Sequence, residues 1–495
     1  MVKRQIKNSA GRLINQGENG CPLKATKIGP STAYEYCSER LSPFGGLLGL
    51  VKFMDVVKFE EIFNSLYRAP TRNPELGHYS MVYGIIILLF IGFNRIWHFL
   101  YVRIDPLLCS IFSVIRLPYV TTYWRYVDSL GINQGKSLLA VMSALRERVW
   151  QLCEINHHSI HIDMDTTVET VYGRQQGGRK GHNTRNRGKE GLRPVLCFIE
   201  ETREYFVGKL RAGKTMGGEE VATLIRSFGK YLPGCVKRVI LRGDGEFSSW
   251  EAVKAAYEEG YDFIFANRGT KPPFEASQWY KARKRDVVEY NEVIYQPMGW
   301  DYVCRFVVMR IPKEEGAKGE QLKLHEDDRY TYRIFGTSLK GKPHVVIEQY
   351  DKRADSENLI GEAKREGLEA IPSAKFASNY AYFQLVMLAY NIWRSFKMLA
   401  EHGQTENKEQ GKYPECSFKG IMDNTIRIAR LKLLMIAAKI RSHSGTNTIK
   451  YSQHDSRAAG FFGFLAYLDK LRNQARPWLE GSKWTCRHVA AVNIS

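Results

Sequence analysis

Residues 159–167 read SIHIDMDTT: apolar and polar side chains alternate, and the run closes on Asp163, Asp165 and a Thr-Thr step. A period of two is the mark of a strand with one face buried, and it sets Asp163 and Asp165 on the same face. Toward the C-terminus, 194–200 (PVLCFIE) and 205–210 (YFVGKL) read as two more strands. A helix is expected over about 218–231, the strand RVILR at 238–242, a second helix at 250–259 and a strand at 262–266.

Three strands, helix, strand, helix, strand is the order of a ribonuclease-H-like core. Residues 276–344 then read mainly as β, with VVEYNEVIYQP, YVCRFVVMRI and YTYRIFGTSL between polar loops. HVVIEQY (344–350) is expected to be a strand leading into a helix from near Asp355, and a longer apolar helix covers 377–399. Upstream, LLGLVKFMDVVKFEEIFNSLY and KSLLAVMSALRERVWQL carry apolar residues at three- and four-residue intervals. The expected fold is α/β: a ribonuclease-H-like catalytic core interrupted by a β-rich insertion and flanked by helical N- and C-terminal regions. The predicted boundaries are a flexible basic arm at 1–39 and a helical domain at 40–152, read either as a DNA-binding domain or equally as a helical dimerisation or packing domain. The core follows at 153–275, the insertion at 276–344, and the second part of the core, with its helix, at 345–400. A linker at 401–417 and a helical region at 418–495 complete the chain.

Lys and Arg outnumber Asp and Glu by 72 to 52, a net charge of +20. Such an excess favours a polyanionic partner, because every phosphate neutralised releases condensed counterions. A membrane surface would attract it too, but no basic amphipathic anchor is present. The apolar run at 81–93 has thirteen residues, short of the roughly 20 that span a bilayer, and reads as a buried helix. The nine cysteines are scattered and never spaced as C-x-x-C. That speaks against a disulfide framework or a structural zinc site and for a reducing cytoplasm. The first residues, MVKRQIKNSAGRL, have no apolar stretch behind their charges and do not read as a secretory signal.

Cutting a phosphodiester without a covalent intermediate needs an activated nucleophile and a stabilised leaving oxygen. Two divalent ions about 4 Å apart supply both when clustered carboxylates hold them. Mg²⁺ suits two or three such ligands because it keeps several waters. On the first strand either Asp163 or Asp165 could bind metal, with Asp165 nearer the open end. A second candidate is Asp244 in VILRGDGEF, directly after a buried strand, where Gly243 and Gly245 permit a tight turn. The third is Glu357. Singly, each has a plain explanation as a turn cap, a turn residue or a solvated helix carboxylate. Their surroundings say more. Tyr350, Arg353, Glu357 and Lys364 are spaced by two, three and six residues. On a helix Glu357 and Lys364 would point within about 20° of each other, so that a metal ligand and a phosphate-binding lysine face one DNA strand.

This Tyr-Arg-Glu-Lys spacing resembles the signature of a large group of bacterial insertion-sequence transposases. The resemblance extends to Asp165-Thr166-Thr167, to Arg242-Gly243-Asp244 with Phe247, to Asn379 and Ala389-Tyr390-Asn391, and to TIRIARLKLLMIAAKI near the C-terminus. It is nearest to the thirteen-eighty group of insertion-sequence transposases and runs from about Leu41 to the end. Two positions depart from the pattern: Asp163 competes with Asp165, and Gly245-Glu246 stands where a Ser-Gly pair is expected. The resemblance implies a DDE transposase with Asp165, Asp244 and Glu357 as ligands for two Mg²⁺ or Mn²⁺ ions, and with Tyr350, Arg353 and Lys364 holding DNA near the cut. It also implies a homodimer acting on paired terminal inverted repeats and on target DNA, at the bacterial nucleoid.

Between the first two core strands lies GRQQGGRKGHNTRNRGKEGLRP, with Arg174, Arg179, Lys180, His182, Arg185, Arg187, Lys189 and Arg193 among glycines. Such a loop would place positive charge beside the carboxylates; Arg179, Lys180, Arg185 and Arg187 are the expected DNA contacts, against the alternative of a solvated loop. Two further patterns carry less. Residues 208–215 satisfy G-x-x-x-x-G-K-[ST], but Gly208 falls inside a strand, where no phosphate cradle forms. His157-His158-x-x-His161 mixes loop and strand, and packing histidines are commoner than ligands. The rival functions are a DNA-binding transposase derivative without catalysis and, more remotely, a P-loop ATPase acting on DNA.

Overall fold

The computed structural model describes residues 27–181, 186–267, 272–313, 330–406, 418–443, 446–452 and 454–474. The chain divides into two compact units. One is drawn from residues up to 60, from 97–122 and from 396–476; the other takes 61–96 and 123–395.

The second unit is built on an eight-stranded sheet. Its strands are β1 (Ser159–Thr166), β2 (Val195–Ile199), β3 (Tyr205–Lys209), β4 (Arg238–Gly243), β5 (Asp262–Asn267), β6 (Glu289–Tyr295), β7 (Cys304–Pro312) and β8 (Tyr330–Thr337). They lie in the order β6-β7-β8-β5-β4-β1-β2-β3. β1 runs parallel to β4, and β4 to β5, while β2 and β3 pair antiparallel. The first five strands thus have the order and directions of the expected ribonuclease-H-like core. The alternation in β1 explains its place. Ile160, Ile162 and Met164 are fully buried and pack with Val221 and Ile225 of helix α1 (Gly218–Arg226) and Val253 and Ala256 of α2 (Trp250–Glu258). Each such side chain contributes about 1.5–3 kcal/mol on burial. The residues of opposite parity, Asp163 and Asp165, therefore emerge on the other face.

The strands expected in the 276–344 stretch do form, and they continue this same sheet. β8 pairs antiparallel with β5, β7 with β8, and β6 with β7. One expectation fails: HVVIEQY is not a strand but most of α3 (Pro343–Asp351). Pro343 occupies the first helical turn, where its fixed φ and missing N–H suit a helix start. Val346, Ile347 and Tyr350 then fall on one face, buried against Val307 and Phe335 of β7 and β8. A single turn leads into α4 (Asp355–Ala363), which passes into a π-turn at Lys364–Leu368.

The long helix α5 (Phe376–Glu406) closes the opposite rim. β3 is an edge strand, and side chains of α5 satisfy its free backbone groups. Asn391 accepts from Tyr205 N at 2.9 Å and donates to Tyr205 O at 2.7 Å, while Gln384 donates to Gly208 O at 2.7 Å. Trp393 stacks on Phe90 with ring centres 3.9 Å apart. Phe90 ends the helix Gly77–Phe90, whose residues from Met81 onward are all buried, as expected of the apolar run.

Helices expected as one N-terminal domain are divided between the units: Leu47–Val56 and Pro106–Ile111 belong to the first, Gly77–Phe90 and Ile132–Leu152 to the second. The first unit centres on Phe53, Phe396 and Phe464, packed edge to face. The C-terminal region is not purely helical, contrary to expectation. After the helix Ile426–Leu433 the chain forms a hairpin, Ala438–His443 with Thr446–Tyr451, before the helix Ala458–Asn473. Ile440 faces Ile449 across that hairpin, a cross-strand pair too short to dominate the helical periodicity around it.

Candidate active site

Parallel pairing of β1 with β4 sets Asp163 opposite Arg242 and Met164 opposite Gly243. Asp244 is the next residue after β4, so the same register brings it beside Asp165 where both strands end. α4 supplies Glu357 in its first turn. Asp165 feels the other two carboxylates. Burial pushes the Asp165 carboxyl up to about 6, the Arg353 guanidinium opposes that rise, and the charges of Asp244 and Glu357 add to it. Arg353 Nη2 lies 3.1 Å from Asp165 Oδ2 and donates to Met164 O at 3.0 Å. Ser356 Oγ donates to Asp165 Oδ2 at 3.4 Å, and Thr166 N to Asp165 Oδ1 at 2.8 Å.

The oxygens of Asp165, Asp244 and Glu357 do not all come within 4.8 Å of one another; among the described residues that spacing is met by His161, Glu200 and Glu201. The triangle is thus wider than one ion's coordination shell. Its donors are all carboxylate oxygens, the ligands that hard divalent cations take. Mutual repulsion among neighbouring carboxylates is relieved by a cation, so these residues fit a divalent metal.

Asp163 has another commitment. Arg242 donates to both of its oxygens, Nε to Oδ1 at 2.6 Å and Nη2 to Oδ2 at 2.8 Å. Arg242 is fully buried, donates to Gln349 O at 2.6 Å, and lies 2.8 Å from Glu200. Tyr350 is a core residue, 9% exposed, its ring 4.6 Å from that of Phe335 and its hydroxyl pushed upward by burial. Lys364 Nζ donates to Val168 O at 2.9 Å and lies 3.5 Å from Glu169. Tyr350 lies on the buried face of α3, and Lys364, just past the end of α4 at Ala363, turns back to the chain beyond β1.

The basic segment between β1 and β2 is more ordered than a loop. Glu169–Thr170, Arg179–Lys180 and Glu190–Leu192 form a small sheet with Glu190–Leu192 in the middle. Arg179 and Lys180 are exposed on it and Arg187 is exposed in the turn before Glu190; Arg185 and His182 lie outside the described residues. The P-loop pattern dissolves into packing. A Cβ at Gly208 would meet Val195 O at 2.2 Å, and one at Gly213 would meet Gly191 O at 2.2 Å. Both glycines therefore serve close backbone approach. The three histidines part company: His157 sits edge-on to Trp150, His158 pairs with Cys235 O, and His161 lies 2.8 Å from Glu201.

Sequence reading passed over Arg242, Ser356 and Arg193 as partners, and noted Glu246 only as a departure. Glu246 in fact reaches Thr166, Arg193 and the backbone of Met216. Residues 34–473 match the family described as Transposase DDE domain group 1. The chain belongs to that family. No curated protein matches this transposase. Solved structures similar to it include two transposase complexes. A piggyBac transposase synaptic complex with hairpin DNA shares 12% identity and a TM-score of 0.38, covering 77% of this chain and 79% of the other. A Mos1 transposase paired-end complex with left transposon end shares 8% identity and a TM-score of 0.16, covering 40% and 60%. Among the described residues of the transposase, no helix is long and apolar enough to cross a membrane.

Proposed function

We propose that this transposase cuts DNA at the ends of an insertion sequence and joins those ends to target DNA, with Asp165, Asp244 and Glu357 holding two Mg²⁺ or Mn²⁺ ions. One observation carries the reading: Asp165 stands half-buried at the end of β1 with the charges of Asp244 and Glu357 acting on it. Bound ions supply Lewis-acid stabilisation of the scissile phosphate and activation of the attacking hydroxyl. The protein's own groups orient and balance charge. Arg353 offsets the negative charge beside Asp165, and Asp163 serves β1 by anchoring Arg242 instead of binding metal. Tyr350 backs Arg353, with the guanidinium carbon 6.0 Å from its ring centre. Lys364 fixes the chain just beyond β1. Arg179, Lys180 and Arg187, together with the net charge of +20, suit the DNA backbone, and a homodimer on paired ends suits a reaction at two termini within the cell.

The test is a cleavage assay on linear DNA carrying the element's own ends, with Mg²⁺ or with EDTA. Cleavage in Mg²⁺ that Asp244→Ala and Glu357→Ala abolish, with end binding retained, is the expected result. End binding without cleavage in either metal would instead identify a non-catalytic derivative.

A further inference from the structure

We propose that Glu246 is a positioning residue that ties the two metal-site aspartates to one another, an inference that rests on the metal reading above. Its backbone N–H donates to Asp244 Oδ1 at 2.9 Å. Its side chain Oε2 accepts from Thr166 Oγ1 at 2.9 Å and from Arg193 Nη2 at 2.5 Å, and Oε1 accepts from Met216 N at 2.8 Å. Thr166 in turn donates its N–H to Asp165 Oδ1 at 2.8 Å. A continuous chain thus runs Asp165, Thr166, Glu246, Asp244, linking the end of β1 to the turn after β4. The Glu246 side chain is 9% exposed, and its two oxygens together accept three donors. A carboxylate is required: glutamine has one accepting oxygen and places an NH₂ against a donor at the other end. Gly243 fits the same design, because a Cβ there would meet Phe247 Cβ at 2.8 Å and push the turn away from β1.

A mere staple of the fold would lower stability and leave metal affinity alone, whereas a link between ligands sets their spacing. The experiment is Mn²⁺ titration calorimetry on the full chain, comparing wild type, Glu246→Gln, Thr166→Val and the double variant, with melting in EDTA alongside. Outer partners of metal ligands typically contribute about 10–100-fold in metal affinity. Each single variant is expected to bind Mn²⁺ weaker by that factor. The double variant should be no weaker than the worse single one, since both cut the same link. Wild-type affinity in Glu246→Gln, or additive losses in the double variant, would overturn the inference and leave the metal reading standing. A wild-type chain that binds no Mn²⁺ would overturn both.

Discussion

Arg242 grips Asp163 through two nitrogens, at 2.6 and 2.8 Å, entirely inside the protein. The neighbouring aspartate on the same strand face, Asp165, meets Arg353 through one contact at 3.1 Å and keeps partial exposure. Two carboxylates of one strand thus do different work. Removing one partner of a buried ion pair typically costs about 3–5 kcal/mol. Asp163→Asn is therefore expected to lower the melting temperature markedly, with weakened cleavage by the fraction that folds. Asp165→Asn should melt no lower than wild type yet cut no DNA in Mg²⁺. The reverse pairing of stability and activity would exchange their roles.

Stability in EDTA should carry the mark of Asp165. Its carboxyl titrates near 6 when folded against an ordinary 3.8, so between those values the folded state holds a proton that the unfolded state has released. Folding stability accordingly falls as pH rises from about 4 to 6 and stays lowered above. Asp165→Asn removes that cost, with an expected gain on the order of 1–3 kcal/mol at pH 7.5 that vanishes by pH 4. Melting curves of both proteins across that range check it; a gain independent of pH would assign the effect to something other than ionisation.

Arg353 opposes the upward push on Asp165. Without it the acid limb of cleavage should move to higher pH, since an arginine beside an aspartate typically holds its pKa down by about 1–3 units. A pH–rate profile of Arg353→Gln that keeps the wild-type acid limb, at whatever absolute rate, would show that Arg353 acts on DNA alone.

Arg179 and Lys180 stand exposed on the small sheet, and Arg187 in the turn before its middle strand. If each meets a phosphate, replacing all three with alanine flattens the plot of log affinity against log salt by about 2–3 units. Filter binding at several salt concentrations measures this, and an unaltered slope would leave the sheet as a solvated surface.

The core was legible because its strands are runs whose burial repeats every two residues or spans the whole strand, as in SIHIDMD and PVLCFI. The placement of Asp165 and Asp244 at strand ends was legible because their runs of apolar residues stop there. HVVIEQY misled because two adjacent valines and an isoleucine favour strands locally, while the decision lay with Pro343 and with the apolar surface that β7 and β8 offer. The fates of Tyr350 and Lys364 depend on tertiary contacts: the apolar surface of β7 and β8 for the first, the place where α4 stops for the second. Glu246 was visible only as an oddity, since its partners Thr166, Arg193 and Met216 are 80, 53 and 30 residues distant.

The rim of the sheet at β3 has a further consequence. An unpaired strand edge is a template on which a second chain can add by backbone pairing. Here Asn391 and Gln384 occupy the donors and acceptors that such a chain would need at Tyr205 and Gly208. Amide side chains imitate a passing peptide, yet they are anchored to a helix and cannot propagate. The sheet is capped by a mimic of its own next strand, which denies that rim to aggregation.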